Sequence, residues 1–463
     1  MTHRPLGPLG LGRTMAAPRC RRAAGVALLL ATLPALSAAG QAREAGALLP
    51  WSKQIEIREG WLAKRHAMLL PMMRRHGVGM WIVVTEEFHD DPLAQYVAPP
   101  LPYVGNRDVF VFVDAGAAGL EKFAITGYKE ESLERFFELR PGRGAAADTL
   151  RAIADRYRPP TIAVGAGGDR GVTRSLTHDS RQWLVGVLGP ALSSRLISAA
   201  PLIEEYLDTR IPDELEHYRT AVRLTESLAR RALSNEVIAP GRTRVGDVRR
   251  WLYDALWANG VGTWFQPDLR VQRRGMANET FGPGFIAPTR EALVIQRGDV
   301  VHVDFGLTYM GFDTDWQRMA YVLADGETDA PAGLRQALRN TNLLQDALVS
   351  AARPGRSTAE VYRTTMAQME RRGIQARIYS HSIGNQGHGI GPAVDFRAAD
   401  TTSKQLARRL RPDSYMSVEL NASTPVPEWQ GQEVVVMMED DAHLTSGGWK
   451  FFVPRQERYY LVR

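Results

Sequence analysis

Two acidic residues interrupt a pair of predicted strands that are otherwise apolar. In the first strand, residues 301–305, alternation places two valines and a phenylalanine on one face and places His302 and Asp304 on the other. Asp315 follows eleven positions after Asp304, where a turn at residues 309–311 would return the chain beside it. Two adjacent carboxylates repel each other unless one keeps its proton or a cation lies between them. The pair therefore predicts a divalent metal site.

Two histidines lie seven positions apart within residues 379–396, among glycines and other small residues. Small residues suit an irregular backbone that runs close to a ligand. One imidazole can bind a metal while the other contacts the substrate. His381 and His388 are therefore the candidate nitrogen ligands.

Two glutamates complete the set. Glu419 lies opposite an apolar face in residues 416–421, and Glu439 ends the apolar run of residues 434–438. Either glutamate alone could equally be the end of a surface strand. Grouped with two aspartates and a histidine, they form a ligand set made only of oxygen and nitrogen.

The charge of this set predicts two metal ions. Four carboxylates balance two divalent cations, and two metals about 3.5–4 Å apart can activate a bridging water to attack a carbonyl carbon. Such ligands suit manganese, which we expect first, and also zinc or cobalt.

The elements that must position these residues fall into two regions. Residues 51–207 alternate apolar strands, for example at 80–84 and 109–113, with helical segments, which indicates an α/β domain. A capping-box pattern at Asp213 and Glu216 predicts the start of a long amphipathic helix. We therefore expect a second domain at residues 211–463.

Composition excludes several classes of protein. With 463 residues, 44% apolar and 23% charged, the chain is typical of a folded protein with two domains. The net charge of +6 arises mainly from five arginines in the first 42 residues, which contain no acidic residue, so the rest of the chain carries only +1. That value argues against nucleic acid as a partner.

The first 42 residues have the layout of a secretory signal. The arginines precede an apolar run, residues 23–36, that is too short to span a bilayer and is followed by small residues. We expect cleavage and export, to the periplasm or outside the cell, with no membrane attachment afterwards. Cleavage would also remove Cys20, the one cysteine, which excludes disulfides and thiolate zinc sites from the mature chain.

The ordered set of two aspartates eleven residues apart, a histidine and two glutamates resembles the pita-bread metallopeptidase family. That family includes methionine aminopeptidase, aminopeptidase P and prolidase. Most of residues 211–463 share the resemblance, and residues 51–207 resemble the creatinase-type N-terminal domain of the proline-directed members. The implied fold class is α+β, with a smaller α/β creatinase-type domain preceding a C-terminal pita-bread catalytic domain.

The resemblance also implies a role for each site residue. The positions that would bind the metals are Asp304, Asp315, His381, Glu419 and Glu439. Glu419 would also accept a proton, and His388 would donate a hydrogen bond to the substrate or to the developing oxyanion. We assign the ligand to His381 because a histidine then follows seven residues later, whereas His388 as ligand would place Asp395 there.

Three positions depart from the family pattern. Ala287 stands near the place where relatives carry a further histidine, Leu420 replaces a proline, and Met437 replaces an arginine. The first departure predicts that a catalytic helper is missing, and the other two predict a different substrate range. His302 could replace the helper, although an ordinary strand histidine is the preferred interpretation.

The predicted activity is hydrolysis of peptide bonds next to proline in short peptides, by a hydroxide that bridges the two metals. The enzyme would be an Xaa-Pro aminopeptidase or dipeptidase, and we expect a homodimer. One alternative is a metal-free amidino hydrolase similar to creatinase, and another is a non-catalytic binding protein on the same fold. The five retained ligand residues argue against both alternatives, whereas the missing histidine keeps the binding protein open.

Overall fold

The computed structural model describes residues 48–282, 285–399 and 408–463. The predicted signal peptide and Cys20 lie outside the described residues. Within the described ranges, no helix is both long enough and apolar enough to cross a membrane.

The alternation in the first region produces a six-stranded sheet in the order β4-β3-β2-β1-β5-β6. The strands are β1 Met80–Glu86, β2 Arg107–Asp114, β3 Leu120–Thr126, β4 Glu138–Pro141, β5 Ile162–Val164 and β6 Leu196–Ser198. Strand β2 runs antiparallel to both neighbours, and the other neighbouring pairs are parallel. The strands predicted at 80–84 and 109–113 are thus confirmed.

Helices cover both faces of this sheet. They are α1 Trp51–Arg75, α2 Ala94–Val97, α3 Glu131–Glu134, α4 Ala146–Tyr157, α5 His178–Ser193 and α6 Ala200–Asp208. Trp81 and Val83 face one core with α1 and α6, whereas Met80 and Ile82 face the other with α4 and α5. Because both faces of the sheet are buried, successive residues of its central strands are apolar instead of alternating with polar ones.

In the second region, the described residues form a nine-stranded sheet and four further α-helices. The helices are α7 Leu215–Ala232, α8 Val245–Ala258, α9 Ala332–Ala351 and α10 Thr358–Arg371. The strands are β7 Asp268–Gln272, β8 Thr280–Gly282, β9 Phe285–Ile286, β10 Val300–Phe305, β11 Thr308–Tyr309, β12 Phe312–Asp313, β13 Trp316–Val322, β14 Gln375–Ser382, β15 Val394–Asp395, β16 Tyr415–Val426, β17 Gln432–Thr445, β18 Gly448–Phe451 and β19 Tyr460–Val462.

The strand order of this sheet is β15-β14-β16-β17-β13-β10-β7, and in addition β18 pairs with β17 and β19 pairs with β13. Helices α7 and α8 share a core with β7, β10 and β13, and helices α9 and α10 share another with β16 and β17. Small hairpins β8/β9 and β11/β12 lie outside the nine-stranded sheet. The second hairpin turns at Met310 and Gly311, both with positive φ, which confirms the turn predicted between the two aspartates.

The capping box predicted for Asp213 and Glu216 is wrong. Glu214 makes the expected contact instead, because its carboxylate accepts a hydrogen bond from the Ile211 N–H at 3.2 Å. Glu214 also forms a buried ion pair with Arg65 of α1, which fixes its side chain in this position. The residues from 48 onward belong to one compact unit, and the division into domains at 51–207 and 211–463 stays a prediction.

Candidate metal centre

Sheet register places three of the predicted site carboxylates in one row. Asp304 in β10 lies opposite Gln317 in β13, Gln317 lies opposite Glu439 in β17, and Glu439 lies opposite Glu419 in β16. Residues opposite one another in adjacent strands have side chains on the same face, and the strands are about 4.8 Å apart. The row therefore gathers acidic side chains from β10, β17 and β16 on one face of the sheet.

Asp315 and His381 lie on the same side of this row. Asp315 precedes β13 directly, and His381 lies near the end of β14. The Nε2 atom of His381 is 3.6 Å from carboxylate oxygens of Asp315 and Glu439 and 3.7 Å from one of Glu419. Its Nδ1 lies 3.0 Å from the carbonyl oxygen of Ser382. A ring whose Nδ1–H donates to that carbonyl presents an unprotonated Nε2 to a metal.

All five predicted ligand residues meet in this cluster. Three overlapping sets have ligand atoms within 4.8 Å of one another: Asp304, Asp315 and Glu439; His381, Glu419 and Glu439; and Asp315, His381 and His388. Glu439, Asp315 and His381 each belong to two sets. The sequence prediction that Asp315 returns beside Asp304 is confirmed.

Several polar atoms of the cluster are buried without a hydrogen-bond partner within the described part of the chain. They include Asp304 Oδ1, Glu439 Oε2 and His381 Nε2. An unpartnered buried carboxylate oxygen costs free energy unless a cation neutralises it. The residues present thus fit a site for divalent metal ions.

The electrostatics of the cluster also favour a site for divalent cations. Burial, followed by the neighbouring Glu439 carboxylate, raises the pKa of Asp304, Asp315 and Glu419 well above the usual range. Burial alone would lower the pKa of His381, but the neighbouring carboxylates of Glu439 and Glu419 raise it to about 9. Without metal, the cluster therefore holds extra protons at neutral pH.

The glycine-rich loop after β14 carries His388. Its ring centroid lies 4.9 Å from that of His381 and 5.0 Å from that of Trp264, both in edge-to-face geometry. The indole N–H of Trp264 donates to the carbonyl of Thr314 at 2.8 Å. Trp264 therefore links the segment before Asp315 to the loop that positions His388.

The loop needs glycine because of close packing. A Cβ at position 389 would lie 1.9 Å from the carbonyl oxygen of Ser382, and one at Gly387 would lie 2.5 Å from the ring of Trp264. The Gly389 N–H donates at 2.8 Å to the same Ser382 carbonyl that lies beside His381 Nδ1. The backbone of the loop thus helps to orient the His381 ring.

Residues 216–446, which contain all five cluster residues and His388, match the model of metallopeptidase family M24. The chain belongs to this family. It is therefore a peptidase, of a family that uses divalent metal ions, and its substrates are peptides. No curated protein matches the chain.

Solved structures of an X-Pro aminopeptidase, an Xaa-Pro dipeptidase and a prolidase share the fold. X-Pro aminopeptidase from Thermotoga maritima MSB8 matches with a TM-score of 0.63 and 16% identity, over 85% of this chain and 100% of that one. Xaa-Pro dipeptidase from Bacillus anthracis matches with a TM-score of 0.60 and 17% identity, over 89% and 99%. Prolidase from Pyrococcus furiosus matches with a TM-score of 0.56 and 15% identity, over 84% and 100%. At such identities the likeness shows the fold alone, and it confirms the predicted α+β class with a pita-bread domain.

The structure shows the environments of Met437 and Ala287, two of the positions that depart from the expected family pattern. The sulfur of Met437 is 3.2 Å from Nη1 of Arg270, a residue of β7 that also pairs with Asp268 at 2.7 Å. A guanidinium from the edge strand therefore lies beside Met437, the position where the family resemblance leads us to expect an arginine. Ala287 follows the separate hairpin β8/β9, outside the nine-stranded sheet.

Sequence reasoning missed other polar residues at the site. Asp441 accepts a hydrogen bond from the Asp315 N–H at 3.3 Å and one from the Tyr218 hydroxyl at 2.9 Å. Gln317 hydrogen-bonds to Glu419, and His302 bonds to Gln317. The position of Gln317 two residues after Asp315 was the available signal, since alternation puts both side chains on the same face.

Proposed function

We propose that this M24 peptidase hydrolyses the Xaa-Pro bond of short peptides with the help of two divalent metal ions, as an aminopeptidase or a dipeptidase. The observation that carries the proposal is the buried cluster of four carboxylates and one histidine with unpartnered ligand atoms. The preference for proline is supported by the fold neighbours, whose titles name X-Pro aminopeptidase, Xaa-Pro dipeptidase and prolidase.

The overlap of two of the three ligand sets supports two adjacent metal positions. One of these sets contains Asp304 and Asp315, the second contains His381 and Glu419, and Glu439 belongs to both. We assign Glu439 as the ligand shared between the positions. The all-oxygen-and-nitrogen set suits manganese first, with zinc and cobalt as alternatives.

The residues would divide the reaction between them. The bound ions would supply an activated water and would stabilise negative charge on the carbonyl oxygen. Glu419 accepts the proton of the attacking water, since its Oε2 faces the cluster beside His381. His388 lies at the exposed rim beside His381, where its imidazole can donate a hydrogen bond to the substrate carbonyl.

Export, signal cleavage and a homodimer belong to the same proposal. Export is supported by the arginine-rich start and the short apolar run in residues 1–42. The dimer is supported by the family resemblance. Size-exclusion chromatography with light scattering on the mature chain measures its oligomeric state directly.

The function is tested by metal content and by paired peptides. We expect purified mature protein to hold about two metal equivalents, to cleave Xaa-Pro peptides, and to cleave otherwise identical Xaa-Ala peptides far more slowly. A chelator should remove activity, and added manganese should restore it. Full activity in metal-free protein would refute the metal mechanism and favour the creatinase-like alternative. Equal rates on the two peptide series would refute the proline preference alone.

Replacing His388 by alanine should lower turnover about 10²- to 10³-fold, the usual cost of losing an oxyanion donor, while metal content stays unchanged. His443 in β17 is a matched histidine outside the cluster, and its Nε2 lies 3.3 Å from a carboxylate oxygen of Asp413. Its alanine variant should keep the wild-type rate. Metal equivalents and steady-state kinetics are measured for both variants. Loss of one metal equivalent in the His388 variant would instead identify His388, rather than His381, as the ligand.

A further inference from the structure

Gln317 occupies the middle of the acidic row. It lies opposite Asp304 on one side and Glu439 on the other, and its side chain is fully buried. A neutral amide at this place needs both of its polar ends satisfied, because an unpaired buried amide is costly. Its contacts therefore show what the side chain does for the cluster.

Both ends of the Gln317 amide have a partner. Nε2 donates to Oε1 of Glu419, and Oε1 lies 3.0 Å from Nε2 of His302. With metal bound, Glu419 would be ionised and could only accept hydrogen bonds, so the NH₂ end of the amide must then face it. The carbonyl end then faces His302, whose hydrogen must lie on Nε2. His302 is fully buried, so this contact fixes which way the amide points.

Because Gln317 hydrogen-bonds to only one oxygen of Glu419, the two carboxylate oxygens have different surroundings. Oε1 is held by Gln317, while Oε2 lies 3.7 Å from Nε2 of His381. The terminal torsion of a glutamate is soft, so a carboxylate without such a contact can rotate and offer both oxygens. With the contact, one oxygen is directed at the position that His381 also faces.

We propose that Gln317 is a positioning residue that makes Glu419 a one-oxygen metal ligand, and that His302 sets the orientation of the Gln317 amide. This inference rests on the proposed metal function. It also gives His302 a task different from that of a missing catalytic helper, because His302 acts through Gln317 and Glu419 instead of contacting the substrate.

The decisive variant is Gln317→Met, which keeps an unbranched side chain of similar length and removes the donor. Partners that orient metal ligands typically contribute about 10- to 100-fold in metal affinity, so we expect a loss of that size when metal-free protein is titrated with manganese. The cobalt-loaded variant should also show a changed visible absorption spectrum, since Glu419 can then bind through two oxygens and raise the coordination number.

Gln456→Met is the matched control. Gln456 is also buried, but its amide bonds to the backbone of Met319, two residues after Gln317 on the same strand. This variant should lose thermal stability while keeping wild-type metal affinity and the wild-type cobalt spectrum. A purely structural role for Gln317 predicts that the two variants behave alike.

His302→Leu tests the second half of the inference and keeps it testable if Gln317→Met does not fold. It should weaken metal binding less than Gln317→Met, and the double variant should bind no more weakly than Gln317→Met alone, because both changes act on one hydrogen-bond chain. Wild-type affinity and spectrum in both single variants, or fully additive losses, would overturn the inference. Absence of metal binding in the wild-type protein would instead refute the proposed function itself.

Discussion

Replacing Asp304 by asparagine should abolish both metal retention and peptide hydrolysis. Asparagine keeps the shape of the side chain but removes one of the four negative charges that would balance the two proposed divalent ions. The Oδ1 atom of Asp304 is buried without a hydrogen-bond partner among the described residues and lies in the set with Asp315 and Glu439, so its charge faces the proposed ions. Loss of metal assistance removes several kcal/mol of transition-state stabilisation, a fall in kcat/KM of about 10³-fold or more.

Asp299 provides a buried aspartate for comparison, just before the same strand. Its carboxylate pairs with Arg273 at 2.7 Å and lies outside the cluster. Asp299→Asn should lower thermal stability, since it weakens that pair, but should leave metal content at the wild-type level. Elemental analysis and steady-state kinetics decide between the two positions. Normal metal content and rate in Asp304→Asn would show that the site has been misplaced.

Removing the metals should destabilise the folded protein, and the destabilisation should grow as the pH rises. In the metal-free chain, burial and then Glu439 hold the pKa of Asp304, Asp315 and Glu419 well above the usual range. The folded state then binds protons that the unfolded state has released. Stability from these carboxyl groups is fully present below their ordinary pKa values of 3.8–4.5 and is lost as the pH rises towards the raised values.

His381 extends the same trend to higher pH. Its pKa rises from the ordinary 6.5 to about 9 in the folded cluster, so its contribution is present below pH 6.5 and is lost as the pH passes about 9. Each extra proton bound by the folded state makes the free energy of unfolding fall by about 1.4 kcal/mol per pH unit.

Thermal denaturation of chelated and manganese-loaded protein between pH 5 and about pH 9 measures this difference. The chelated sample should lose stability towards high pH, whereas the loaded sample should change much less because the ions replace the protons. Parallel profiles for the two samples would contradict the assignment of these groups as ligands. The chelated Asp304→Asn variant should show a shallower profile than chelated wild type, since one titrating carboxyl group is gone.

The parts of the site that were predictable are those governed by alternation along strands. A charge among valines in residues 301–305 required a partner, and the turn before Asp315 provided one. The same reasoning placed Glu419 opposite the apolar face of β16, whose Met416, Val418 and Leu420 lie in the core. Glu439 was taken to end its apolar run, but β17 continues to Thr445, so Glu439 lies inside the strand.

Other features depend on contacts between strands that are distant in sequence. The bond from Gln317 to Glu419 spans 102 positions, and the spacing of residues along the chain carries no signal for it. Trp264 was not singled out because its partners, Thr314 and His388, come from two separate loops. The glycines of the His388 loop were expected to make room for a ligand, whereas two of them allow close contact with Ser382 and Trp264.

The position of β19 has a consequence for the order in which the protein folds. Strand β13, which follows Asp315 directly, pairs with β17 and also, in parallel, with Tyr460–Val462. These partners are synthesised more than a hundred residues after β13, and such non-local pairings form slowly because a long loop must close first. The acidic row, which includes Glu439 of β17, can therefore form only after nearly the whole chain has been synthesised. Metal binding can stabilise the finished molecule, but it cannot guide the first steps of its folding.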